Sequence, residues 1–115
     1  MARYTCCLTV AVALENLYQN LTDMLRGCNL EILFSQGNCV LAREKPGQVP
    51  FEHLVTVEVL VDQTRSKKEA TDFDLVVKNG ELPLQSSNHC SQIYQRILKD
   101  SAAYQGWQFI TTVAK

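Results

Sequence analysis

Four valines stand at every second position of one short run. Val55, Val57, Val59 and Val61 alternate with Thr56, Glu58, Leu60 and Asp62. Two-residue periodicity with β-branched side chains favours a strand that is apolar on one face and wet on the other. A helix would scatter these valines around its circumference. The chain must therefore build a sheet around this run and cover one side of it.

Other segments repeat the pattern. Tyr4, Cys6, Leu8, Val10 and Val12 alternate with Arg3, Thr5, Cys7, Thr9 and Ala11. Leu30, Ile32 and Phe34 alternate with Glu31, Leu33 and Ser35, and a second apolar run, Cys39 to Ala42, follows Gly37-Asn38. That dipeptide predicts a two-residue hairpin turn. Phe73, Leu75 and Val77 alternate with Asp72, Asp74, Val76 and Lys78. The polar stretch Gln63 to Ala70 between this strand and the valine run reads as a long hairpin loop, and Leu82-Pro83-Leu84 as an extended segment. Trp107, Phe109, Thr111 and Val113 make a terminal strand.

Two segments have helical spacing instead. Over about 13–27, Leu14, Leu17, Leu21, Met24 and Leu25 recur at three- and four-residue steps. Gly27 is placed to end this helix in a left-handed conformation. Over about 88–104, Cys90, Ile93, Tyr94, Ile97 and Leu98 form a second stripe, with Ser87 or Asn88 as its cap.

The order is β-α-β-β-β-β-α-β. It predicts an α+β two-layer sandwich: an antiparallel sheet of about six strands with two helices on one face. The 115 residues make one domain, 1–115. Such a sheet leaves its other face to water. Leu33, Leu60, Val76 and Ile110 fall out of phase onto that face. Either they cluster into a contact patch or they are scattered aliphatics of the ordinary kind.

Charge narrows the function classes. Eleven Lys and Arg face twelve Asp and Glu, for a net charge of −1. This balance argues against a protein that holds nucleic acid by bulk charge. No stretch reaches the roughly 20 apolar residues that span a bilayer. Arg3 before the apolar run Cys6 to Leu14 imitates a secretion signal, but the run alternates as a strand does, so export is not expected. Cys6, Cys7, Cys28, Cys39 and Cys90 are odd in number and lack C-x-x-C spacing. Reduced thiols in a cytoplasmic protein fit that better than a disulfide framework or a zinc knuckle.

Reactive groups are few. Asn88-His89-Cys90 places a thiol in the first turn of the second helix, where backbone amides favour a thiolate; the competing reading makes Cys90 the first core residue of the stripe. Asp72 and Asp74 share a strand face. Arg65-Ser66-Lys67-Lys68 could contact an anionic group, but with Asp62, Glu69 and Asp72 close by it reads as a solvated hairpin tip. His53, His89 and the cysteines show no metal-ligand spacing, and phosphate-cradle motifs are missing. No catalytic set, metal or cofactor is expected.

The segments Val55-Thr56-Val57-Glu58-Val59-Leu60-Val61-Asp62, Leu75-Val76-Val77-Lys78-Asn79-Gly80-Glu81-Leu82-Pro83-Leu84-Gln85 and Asn88-His89-Cys90 resemble a family of small uncharacterised cyanobacterial proteins. The resemblance covers about half of the chain, implies a cytoplasmic bacterial setting near the photosynthetic machinery, and carries over no active-site residue. Together these readings lead to a non-enzymatic protein-binding or assembly module acting through a sheet face or edge strand, with another protein or a second copy as partner. The alternative is a small-ligand or cofactor-binding domain, enzymatic or not, with a cleft between sheet and helices, using Asp72, Asp74, His89 and Cys90.

Overall fold

The computed structural model describes residues 1–67, 70–81 and 88–114, with residues 63–67 described by their backbone alone. The alternating segments form β1 (Ala2–Ala11), β2 (Leu30–Gln36), β3 (Cys39–Glu44), β4 (Thr56–Lys67), β5 (Ala70–Asn79) and β6 (Gln108–Ala114). The striped segments form α1 (Leu14–Gly27) and α2 (His89–Ala103). A short 3-10 turn, Phe51–His53, lies in the connection between β3 and β4. This is the α+β arrangement that the periodicities predict.

The strands make one open antiparallel sheet in the order β2-β3-β4-β5-β1-β6. β2 to β5 follow one another as a meander, and β1 inserts beside β5. β5 and β6 both flank β1, so α2 must cross over β1 to join them. Leu17, Leu21, Met24 and Leu25 of α1, with Cys90, Ile93, Tyr94 and Ile97 of α2, bury against the inward residues of the strands. Val40, Val57, Val59, Phe73, Leu75, Val77, Cys6 and Leu8 complete that layer.

Local chemistry explains the element ends. Asn88 caps α2: its Oδ1 accepts the Ser91 amide at 2.6 Å, satisfying a donor that the helix cannot. Gly37 has φ 62° at the first position of the β2–β3 turn, a backbone setting that costs glycine nothing. The end of α1 departs from expectation. The helix runs through Gly27, and the left-handed residue is Asn29, φ 65°. Cys28 at the helix end is drawn into the core with no exposure, so the chain reverses after it. Asn tolerates that conformation better than other side chains do.

Two more expectations need correction. The stretch read as a long loop is strand: β4 continues to Lys67, which pairs with Ala70 after a register shift. Polarity reports affinity for water and does not by itself break a strand. β2 does not alternate throughout either, because a bulge at Leu33 shifts the register between Ile32 and Phe34. The Leu82-Pro83-Leu84 segment and the side chains of Arg65-Ser66-Lys67-Lys68 lie outside the described residues.

Candidate functional site

Both helices lie on one side of the sheet; among the described residues no helix lies on the other. The registers arrange that uncovered face in rows across the strands. The first row is Glu31, Arg43, Thr56, Lys78 and Arg3, and the second is Phe34, Leu41, Glu58, Val76 and Thr5. The third is Gln36, Cys39, Leu60, Asp74, Cys7 and Val113, and the fourth is Asp62, Asp72, Thr9 and Thr111.

The four aliphatics expected on this face do not form one patch. Leu33 and Leu60 are 48% and 45% exposed, on β2 and β4. Ile110, 52% exposed, stands on β6 at the opposite edge. Val76 lies between them and is buried. The Lys78 ammonium reaches the Glu58 carboxylate at 2.7 Å, directly beside Val76; long charged side chains cover apolar neighbours in this way.

Sequence periodicity misses Phe34. It falls in phase with Leu30 and Ile32, which argues for the core, yet it is 45% exposed. A bulge places two residues of one strand opposite a single residue of the other. Leu33 is the extra residue, and Phe34 then pairs with Leu41 on the outer face. Phe34, Leu41 and Leu60 thus gather near Leu33 over β2 to β4. A second bulge, opposite Thr9 and Val10, leaves Ile110 beside Thr111, with Val113 further along β6.

The helix side carries a polar cluster at the start of α2. Glu44 ends β3 with no exposure, and its two carboxylate oxygens lie 2.7 and 2.8 Å from Nε2 of His89. The Val55 amide donates to the same carboxylate at 3.2 Å. Glu81 accepts the Cys90 amide at 2.9 Å and the His89 amide at 3.1 Å, and it also accepts from Nδ2 of Asn79. Asn79 donates as well to the carbonyl of His53. The amides of the first helical turn, which would otherwise attract an anion, are therefore already occupied by carboxylate and amide oxygens of the chain itself. The cluster ties the ends of β3 and β5 to α2.

Partial burial pushes the Glu81 carboxyl up. The Asn79 hydrogen bond, the two helix amides and the charge of His53 outweigh that and hold it below the ordinary value of 4.5. A depressed carboxyl contributes stability that is complete above 4.5 and is lost as pH falls through the folded-state value. We expect Glu81→Gln to lower the melting temperature at neutral pH, and the gap from wild type to close as the pH drops below 4.5. Melting curves of both proteins across that range check this; a gap that is constant with pH would contradict it.

The thiols separate into two classes. None of the five cysteines is in a disulfide. Cys90 has no exposure, and its Sγ lies 3.6 Å from the Val77 carbonyl oxygen. Burial, with the charge of Glu81 behind it, pushes its pKa up to about 12. At neutral pH it is a protonated core residue. Cys28 is similar: burial and then its hydrogen bond to Asp100, at 3.1 Å, push it up to about 12. Cys7 and Cys39 are half-buried on the uncovered face. Asp72 and Asp74 stand on that face as well, whereas His89 and Cys90 lie on the helix side. The sheet therefore separates the four polar residues that a shared cleft would have needed.

Fold and site together define a class: a small α+β domain with one helix-covered sheet face and one open face, its helix-side polar groups bonded to one another. No family model matches the chain, and no curated protein does. Among the described residues no group of three or more His, Cys, Asp or Glu could hold a metal ion, and no helix is long and apolar enough to cross a membrane.

Proposed function

We propose that this chain is a non-enzymatic protein-binding module, of an assembly or regulatory kind, that works through the uncovered face of its sheet. One observation carries the reading: Leu33 and Phe34 on β2 and Leu60 on β4, each 45–48% exposed, flank Leu41 of β3 on the uncovered face, while a separate exposed pair, Ile110 and Val113, stands at the β6 edge. Large aliphatic and aromatic groups on a solvent-facing sheet cost solubility unless a partner covers them. The helix side supports the same reading, because its reactive groups are committed to the fold: Glu44 to His89, Glu81 to the helix amides, and Cys90 to the core. On this reading the chain acts in the cytoplasm of a cyanobacterium, as the sequence resemblance implies.

The test compares two baits in native extract: the wild-type chain and Leu60→Asp, which changes one side chain on the outer face. Proteins retained by the first and lost by the second, with equal circular dichroism spectra for the two baits, are the expected result. Identical retention by both baits would remove the reading.

A further inference from the structure

Beyond that reading, we infer that two copies of this chain join along β2, edge to edge and antiparallel, so that one open sheet runs through both. β2 is the outer strand at one end of the sheet, and among the described residues it pairs with β3 alone. An edge of this kind offers a row of backbone N–H and C=O groups to another strand.

The bulge selects the occupant. Leu33 is the extra residue of β2, with no opposite number on β3. Before it, Glu31 faces outward beside Arg43 and Ile32 inward beside Ala42; after it, Phe34 and Gln36 face outward and Ser35 inward. An added strand must match these facings residue by residue, because opposed residues of an antiparallel pair share a face. A regular strand would again leave Leu33 unopposed, as β3 does. A second copy opposes every residue. With a twofold axis perpendicular to the sheet, between Leu33 and Phe34, Glu31 stands opposite Gln36, Ile32 opposite Ser35, and Leu33 opposite Phe34, each pair occurring twice. Outward meets outward, inward meets inward, and the two extra residues offset each other at the centre.

The side chains agree with that register. Leu33 and Phe34, both exposed in one copy, come together as four apolar side chains at the axis. Glu31 is the single charged residue of β2, and it keeps its bond to Arg43 while meeting the neutral Gln36 of the other copy. No like charges stand directly opposite one another, an arrangement that would be unfavourable. The helices of both copies lie on one side of the joined sheet, and the two open faces become continuous. The same construction on β6, at the other end of the sheet, sets Ile110 against Thr111 and Val113 against Gln108. The exposed aliphatics there meet polar neighbours, so β2 is the edge whose apolar surface a second copy covers.

Sedimentation of the purified full chain, from micromolar to hundreds of micromolar, tests the proposal together with hydrogen exchange. A single strand pairing is a small interface, so the expected result is a dimer that forms in the upper part of that range. Amides of β2 should exchange more slowly as the dimer forms, and those of β6 should not. Phe34→Lys alters an exposed side chain and should leave the circular dichroism of the monomer unchanged while weakening the dimer by at least about tenfold. Gln36→Glu sets a carboxylate opposite Glu31 at two places and should weaken the dimer several-fold; adding Glu31→Gln should restore it. A strict monomer overturns the proposal, as does a dimer indifferent to Phe34→Lys and Gln36→Glu, or one whose protection falls on β6. The result is separable from the reading above, because Leu60 stands two strands from β2. A monomer whose Leu60-dependent capture of another protein persists leaves that reading standing without the second copy. A β2 dimer whose captured proteins are indifferent to Leu60→Asp leaves the second copy standing without that reading.

Discussion

His89→Ala should cost this protein about 1–3 kcal/mol of folding stability, the range for leaving a buried acceptor without its hydrogen-bond partner. Glu44 has no exposure, and its carboxylate is held by Nε2 of His89 and the Val55 amide. Deleting the imidazole leaves a buried carboxylate with one amide donor, and a group of this kind is costly when unpaired. His89→Gln retains an N–H donor and should cost less. Glu44→Met with His89→Leu removes both polar groups at nearly constant volume, and by the same reasoning should cost less than His89→Ala alone. Urea denaturation followed by circular dichroism measures all three. If His89→Ala lies within about 0.5 kcal/mol of wild type, an ordinary surface result, the pair does not hold α2 to the sheet.

That pair also marks what the sequence conceals. The strands and helices were legible because burial of one face imposes a period on each segment: every second residue for β4, every third or fourth for α1. Asn88 as a cap and Gly37 in a hairpin turn were legible for local reasons, since each acts on its own or neighbouring backbone. Glu44 carried no such signal. It stands forty-five positions before His89, in a strand whose alternation marks it as inward-facing, and only the return of α2 across the sheet brings the two together. Phe34 was hidden differently. A single extra residue reverses the facing of everything beyond it, and Leu33 looks no different from a regular strand residue. β4 beyond Asp62 was hidden because composition there follows water rather than conformation. In each case the missing information is tertiary: who pairs with whom, and in what register.

The inner and outer faces should respond to substitution in opposite ways, and Phe73→Ala is the sharpest case. Phe73 is 1% exposed at the centre of β5, paired with Leu8 of β1 on one side and Val61 of β4 on the other. Its ring lies 6.0 Å from that of Trp107, tilted by 48°. The Trp107 ring in turn lies 5.0 Å from that of Tyr104, tilted by 57°, and its Nε1 donates to the Ser101 carbonyl at 2.9 Å. Removing Phe73 therefore opens a cavity under both the sheet and the segment that joins α2 to β6. Phe→Ala in a core costs about 3–5 kcal/mol, a large part of the 5–15 kcal/mol that holds a small domain together. Phe73→Leu, which leaves less empty volume, should cost less. Leu60→Ala, on the uncovered face, should change monomer stability by no more than about 0.5 kcal/mol. Trp107 is the single tryptophan of the chain, so its fluorescence during urea unfolding reads all three variants from within the affected core. A Phe73→Ala protein as stable as wild type would mean that the β5–β1 centre is not the packed layer described. A Leu60→Ala monomer destabilised as much as Phe73→Ala would mean that the outer face holds the fold together, leaving it no surface to offer a partner.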